Sequence, residues 1–451
     1  MIKRFIGLFS GFALIAGILG GFLVTIGSYE NLASNKPFIV CSSLEQLRDF
    51  NLQRANYDAR IEQGDNPVLV LASSELNTYL SKSYTASFWT DHNYGMDIMA
   101  EGYAHICSLW DAIAVGAFDK REITNNKVVI IPSMQWFMEG TKYSNDVLNE
   151  TFSKGAYDEF LKNEDISEDT KIAVSEKLDS YEFKYPTITT PLPQKMSMTL
   201  ETIDTFAADA ASSVRLRCAI LNAPKNDGKL IVSNSEKTLS QAIPTSRFGS
   251  PEEPDWTAIQ QDALEYAKSR ASNNDLFLDK WVYDNAYEDW LKSAKKWKVD
   301  DNKVLNESEI EDFELFIKVC KESGIEPLVI LIPSNDLLYD QSAYTIKYRN
   351  MYYDTMRNLC DANKVKLADF SDYSASTYFL RDNTHPSNYG WSLINEQIYN
   401  FYACLLRRFC YTVPRSTATA FHGRLPRSNA GCSDCEGRAS APLGQYGRLC
   451  S

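Results

Sequence analysis

Asn66-Pro67-Val68-Leu69-Val70-Leu71-Ala72-Ser73-Ser74-Glu75-Leu76 is the stretch from which the fold is read. Asn66-Pro67 punctuates the chain, and the unbroken apolar run after it has the length and bounds of a parallel strand buried on both faces. A strand with one wet face would alternate, and this one does not. Ser73, Ser74 and Glu75 follow at its carboxyl end, where open α/β sheets collect ligands and reacting groups. A serine on a sharp strand-to-helix turn offers its hydroxyl beside helix-start N–H groups that can hold an oxyanion. The same positions also fit a plainer role, with Ser73 as an N-cap and Glu75 in the first turn of the next helix.

Further apolar runs repeat the pattern outward. Val128 to Ile131 reads as a second strand, ending in Pro132-Ser133-Met134-Gln135-Trp136-Phe137. Glu326 to Pro333 reads as another, after a helix over Glu307 to Ser323 that Gly324 stops, and Ser334-Asn335-Asp336 stands at its carboxyl end. Helices over Leu109 to Phe118 and Tyr348 to Asn363, a short strand over Val365 to Phe370 and a last helix through Ile394 to Phe401 complete an alternation that predicts a doubly wound parallel sheet. His105 falls in the first of these helical patterns and is expected as a partly buried structural histidine. Residues 140–300 differ in texture: charged helical stretches over Val147 to Leu161 and Asp169 to Tyr181, Pro186, Pro191 and Pro193 as breakers, and no strand before Ala219-Ile220-Leu221. That pattern predicts a largely helical insertion. Its Trp256, Trp281, Trp290 and Trp297, with Tyr283 and Tyr287, are core anchors or the lining of a groove for an extended, partly apolar substrate.

The histidines narrow the chemistry, because the chain has only 4 of them. In Arg381-Asp382-Asn383-Thr384-His385-Pro386 a carboxylate precedes the imidazole by three residues, and a proline suited to the first helical position follows it. Asp382 can fix the ring tautomer and leave the other nitrogen of His385 to take a proton from a nucleophile. On spacing alone, a surface histidine beside a helix cap fits equally well.

A net charge of −13, with no long basic stripe in the body of the chain, argues against nucleic acid as a partner. The cysteines from Cys41 to Cys404 are scattered and read as buried thiols. Lys3 and Arg4 precede an uncharged run, Phe5 to Ile26, which as a helix reaches roughly 30 Å and spans the hydrocarbon core of a membrane. The two basic residues favour a cytoplasmic N-terminus, with everything after the run outside. A cleaved signal peptide is the rival reading, but the run is long for one and no small-x-small site closes it before Ser28. Beyond Cys404 lysine disappears, cysteine and glycine rise without periodicity, and Cys432-Ser433-Asp434-Cys435 lacks the second pair of a zinc site. The expected organisation is an anchor over residues 1–27, an extracellular domain over 28–403 and a disordered tail over 404–451, as an out-of-frame segment would give.

Taken in order, these motifs resemble the DltD family of D-alanyl-lipoteichoic acid biosynthesis, a membrane-anchored branch of the SGNH (GDSL-like) hydrolase fold. Val68 to Leu76 is similar to the family's strand and Gly-Ser-Ser-Glu-Leu turn, and Ile131 to Phe137 to its Ser-Pro-Gln-Trp-Phe element. Ser272-Asn273-Asn274 resembles its Asn-Asn segment, Glu326 to Asp340 its strand and Pro-x-Asn loop, and Tyr378 to Trp391 its Asp-x-x-His and Gly-Trp ending. The resemblance implies a flavodoxin-like three-layer α/β fold with a large, mostly helical insertion at about 140–300 and one N-terminal transmembrane helix. It implies Ser74 as nucleophile, His385 as base and Asp382 as orienting acid. The Ser74 backbone N–H, Gly102 and Gln135 are implied as oxyanion-hole candidates, and Ser73 and Asn335 as further substrate-binding candidates; no cofactor and no metal is implied. Ala72 stands where the family has glycine, which requires a negative φ there, and Pro386-Ser387-Asn388-Tyr389 replaces a Leu-Gly-Trp-Lys type of run.

The implied activity is transfer of D-alanyl from a donor or carrier to lipoteichoic or teichoic acid at the outer face of the membrane, beside a membrane-bound acyltransferase partner. A surface esterase or thioesterase acting on D-alanyl or acetyl esters would use the same residues. A non-catalytic assembly factor would use none of them.

Overall fold

The computed structural model describes residues 40–410, apart from short stretches of which 77–87, 140–144 and most of 193–250 are the longest. The expected anchor over residues 5–26, the tail beyond 410 and the segment Ala219-Ile220-Leu221 lie outside the described residues.

Nine strands are described: β1 Val40–Cys41, β2 Pro67–Ala72, β3 Asp97–Gly102, β4 Lys127–Ile131, β5 Lys225–Asn226, β6 Lys229–Asn234, β7 Lys237–Ala242, β8 Glu326–Leu331 and β9 Lys366–Asp369. Six of them form one sheet in the order β1-β3-β2-β4-β8-β9, with every pairing parallel. From β2 the chain moves to one side for β3, crosses back for β4 and then proceeds outward. Leaving aside the short edge strand β1, this is the flavodoxin-like 2-1-3-4-5 order, whose crevice opens at the carboxyl ends of the strands where the direction reverses, here β2 and β4.

Every residue of β2, β3 and β4 is buried, as continuous apolar runs require when both faces are covered. Leu69, Leu71, Met99, Val128 and Ile130 pack on one face with helices Phe50–Glu62, Ser108–Ala117 and Glu307–Glu322. Val68, Val70, Ala72, Val129 and Ile131 pack on the other with Trp391, Ile394, Ile398 and Tyr402 of helix Asn388–Cys410. Each of these valine, leucine, isoleucine and methionine side chains contributes about 1.5–3 kcal/mol by leaving water. The sheet is therefore a stiff floor for whatever its carboxyl ends carry.

Strand β3 carries Asp97 and Glu101 on the same face as Met99, which interrupts the apolar pattern that reveals its neighbours. Arg60 meets Asp97 at 2.9 Å with both side chains fully buried, and its Nη1 donates to the Ile98 carbonyl at 2.7 Å. Glu101 is fully buried with no hydrogen bond to either carboxyl oxygen, and burial pushes its pKa up to about 8.

The region expected as one helical insertion divides in two. Over Val147 to Leu161 there are two helices, Asn145–Thr151 and Lys154–Lys162, because the Ser153 side chain accepts from the Ala156 N–H at 3.1 Å and starts a new one. Phe152, Tyr157, Phe160, Val174 and Leu178 join the buried cluster of helix Ser108–Ala117, so this part continues a layer of the main core. Later in the region β5, β6 and β7 pair antiparallel in a small sheet, against the expectation of a largely helical insertion; its longest apolar run is the three residues Leu230-Ile231-Val232 of β6. His105 is also not as expected: it is exposed, in a turn before the helix, with φ 71°.

Candidate active site

At the end of β2 the backbone enters a short 3-10 turn, Ser74–Leu76. Ser73 is tied down there: its N–H donates to Glu75 Oε2 at 3.0 Å and its hydroxyl to the Tyr103 carbonyl at 3.0 Å. It thus does not cap the turn with its side chain, and the hydroxyl next in sequence, on Ser74, faces the cleft. Ala72 remains in the strand and is not among the described residues of positive φ, so its methyl group is accommodated. Gly102, paired with Ala72 in the sheet, lies where a Cβ would collide with the Ala72 carbonyl oxygen. Its glycine serves close approach of the two strand ends.

The second half of the site comes from a loop folded back on itself. Leu380 and Pro386 form an antiparallel bridge, the Arg381 N–H donates to the His385 carbonyl at 3.0 Å, and the Ser387 N–H donates to the Phe379 carbonyl at 2.9 Å. The Ser387 hydroxyl accepts from the N–H groups of Tyr389 and Gly390 at 3.1 and 3.3 Å, which makes Ser387 the N-cap of helix Asn388–Cys410. Pro386 therefore precedes the cap and does not occupy the first helical position.

Within this frame three groups stand in series. Ser74 Oγ is 2.8 Å from His385 Nε2, and His385 Nδ1 is 2.8 Å from Asp382 Oδ2. Asp382 Oδ1 accepts from the N–H groups of Thr384 at 2.9 Å and His385 at 2.7 Å, which locks the carboxylate in place. Burial alone would raise the pKa of Asp382, but the charges of His385 and Arg381 and these hydrogen bonds hold it well below the usual carboxylate range. For His385 burial works downward, and the charge and hydrogen bond of Asp382, helped by Glu75, bring the net shift above the ordinary histidine value. Burial raises the Glu75 carboxyl in turn, and the charge of His385 opposes that rise. Glu75 is thus a second carboxylate near the imidazole, whereas its sequence position announces only a first-turn residue.

The four remaining candidates surround this series but are bonded into its frame. Asn335 donates its Nδ2 to the Asp382 carbonyl at 3.1 Å and its backbone N–H to the Asn383 carbonyl at 3.0 Å, so the carboxyl end of β8 holds the Asp382 loop. Gln135 Nε2 donates to the Tyr339 hydroxyl at 3.3 Å. Ser73, Gly102, Gln135 and Asn335 are absent from the walls of the cleft above Ser74 and His385.

Those walls come from Phe277, Tyr378, Leu380, Arg381 and Trp391, together with Arg270 and Asp279. Asn274 shapes the loop that delivers Phe277: its Oδ1 accepts from Leu276 N at 3.2 Å and Leu278 N at 3.0 Å, and its Nδ2 donates to the Leu278 carbonyl at 2.9 Å. The Asp279 N–H then donates to the Arg381 carbonyl at 2.8 Å, joining this loop to the one that carries His385. Phe277 and Tyr378 have φ of 57° and 70° and meet edge to face with ring centroids 5.3 Å apart. A left-handed backbone under a bulky aromatic is strained, and such strain collects at ligand clamps. The tryptophans read as core anchors or groove lining are not in these walls: Trp256 packs on Tyr399, Trp290 and Trp297 on Tyr339, as anchors would, and Trp281 is 58% exposed.

An alcohol bonded to an imidazole that a buried carboxylate orients is the arrangement that activates a serine for acyl transfer. Comparison with known proteins points to one family. The family model described as DltD protein matches residues 45–403. The chain is 23% identical over 347 residues to Protein DltD of Bacillus subtilis (strain 168), covering 74% of this chain and 81% of that protein. It is 26% identical over 143 residues to Protein DltD of Staphylococcus aureus (strain NCTC 8325 / PS 47), covering 32% of this chain and 36% of that one. With the family model spanning most of its length, from before β2 into the last helix, the chain belongs to the DltD family.

Proposed function

We propose that the protein transfers D-alanyl groups to teichoic acid through an acyl-enzyme on Ser74, with His385 as base and Asp382 as the group that orients it. The observation that carries this reading is the unbroken series Ser74 Oγ, His385 Nε2, His385 Nδ1, Asp382 Oδ2, with 2.8 Å at each hydrogen bond between residues. Membership of the DltD family links the chain to D-alanylation of teichoic acids and so supports the choice of acyl group and acceptor. The parallel sheet of flavodoxin-like order supports a place among SGNH-type folds.

In the first half-reaction His385 Nε2 takes the proton of Ser74 as Oγ attacks the carbonyl carbon of a D-alanyl ester or thioester. The tetrahedral intermediate carries its negative charge near the Ser74 backbone N–H, and the protonated imidazole, steadied by Asp382, returns the proton to the departing alcohol or thiol. A glycerol hydroxyl of the acceptor then gives its proton to His385 and attacks the Ser74 ester; collapse returns the proton to Ser74 and releases the D-alanylated polymer. With the uncharged run over residues 5–26 as an anchor, this chemistry takes place at the outer face of the membrane, and a membrane-bound acyltransferase partner brings the acyl group across. Labelled D-alanyl thioester incubated with the full-length protein, with and without teichoic acid, tests the reading. Label on the polymer that depends on Ser74 supports transfer; label released only to water overturns it in favour of hydrolysis.

A further inference from the structure

Arg381 lines the cleft with Ser74 and His385, its side chain is 18% exposed, and its Nη1 is buried with no hydrogen-bond partner. Its ionic neighbour, Asp382 Oδ2, lies 3.3 Å from Nε, without the alignment of a hydrogen bond. That carboxylate is already committed, with Oδ2 on His385 Nδ1 and Oδ1 on the N–H groups of Thr384 and His385. The other arginine of the cleft differs: Arg270 is held two-pronged by Asp279, at 2.8 Å from Nε and 3.1 Å from Nη2. A guanidinium presents N–H donors in a planar fork that matches the oxygens of a phosphate group, and leaving those donors buried and unbonded is costly. Among the described residues, the cleft therefore holds one guanidinium whose N–H donors are left without an acceptor.

Resting on the acyl-transfer reading of Ser74, we propose that Arg381 binds a phosphodiester of the substrate and so selects a phosphate-bearing chain over neutral esters. Two sources share that chemistry. One is the poly(glycerol phosphate) of the acceptor, in which the glycerol that carries the reacting hydroxyl is itself esterified to phosphate. The other is a phosphopantetheine arm on the donor side, whose phosphate lies farther from the thioester.

Binding to the full-length Ser74→Ala protein, which cannot turn over, tests the proposal apart from catalysis. The probes are a short synthetic poly(glycerol phosphate) and the methyl phosphodiester of phosphopantetheine, titrated by calorimetry. Adding Arg381→Gln is expected to weaken one of them roughly 10- to 100-fold, with the loss shrinking as salt rises, while Arg381→Lys recovers part of it. The probe that responds names the source. Equal affinity in the presence and absence of the guanidinium, or no binding of either probe before the substitution, overturns the proposal. Arg381-dependent binding in a protein whose wild type forms no acyl-enzyme would leave the anion site standing and remove the acyl-transfer reading.

Discussion

At the scale of single residues, the carboxylates around His385 set the pH profile. His385 must be neutral to accept the Ser74 proton, so kcat/KM falls as pH drops through its pKa. Because Asp382 and Glu75 raise that pKa, the acid limb lies above the ordinary 6.5. Asp382→Asn is expected to lower kcat by about 10³- to 10⁴-fold, by losing the tautomer control and the counter-charge. Glu75→Gln is expected to move the acid limb to lower pH, since one of the charges that raises His385 is gone; a limb that stays in place would refute the role of Glu75. Away from the site, Arg60 and Asp97 form a fully buried pair, and Arg60→Met, by stranding the carboxylate, is expected to cost about 3–5 kcal/mol in urea unfolding.

At the scale of elements, the site depends on close contact between the ends of β2 and β3. Gly102→Val places a branched side chain against the Ala72 carbonyl, and a loss of about 1–3 kcal/mol is expected, with turnover falling because the Ser74 turn shifts; unchanged stability would show that the strands have room to part. The elements legible in the sequence were those whose physics is local. Val68 to Ala72, Val128 to Ile131 and Glu326 to Leu331 are continuous apolar runs, and Gly324 with φ 67° ends the helix before β8 as its position implies. Strand β3 was not legible because the partner that permits Asp97 inside, Arg60, is distant in sequence. The cleft walls were hidden for a related reason. Phe277 and Tyr378 come together only through the turn that Asn274 holds and the hydrogen bond from Asp279 to Arg381, and neither leaves a periodic signal. The Asp382 and His385 pair was visible in its spacing, whereas Ser74 could be preferred to Ser73 only through the family resemblance. The structure supplies the physical reason: the Ser73 hydroxyl is spent on the Tyr103 carbonyl.

At the scale of the whole molecule, the sheet buries carboxyl groups behind the site, and stability should record it. Glu101 has a folded pKa of about 8 against an ordinary 4.5, so the folded state binds the extra proton between those values. Its contribution to stability is therefore undiminished below about pH 4.5 and lost as pH rises toward 8, at no more than about 1.4 kcal/mol per pH unit. Glu101→Gln is expected to flatten the fall in Tm between pH 5 and 8 relative to wild type; parallel curves would contradict it. The same sheet order carries Ser74 from the end of β2 to meet a histidine from beyond β9, and every functional conclusion rests on that meeting making the hydroxyl reactive. Intact-mass and peptide mass spectrometry after treatment with a fluorophosphonate tests this most directly. One adduct is expected, on Ser74, forming at least 100-fold more slowly in His385→Ala; no adduct, an adduct on another serine, or equal labelling of His385→Ala would refute the Ser74–His385 pairing as the source of reactivity.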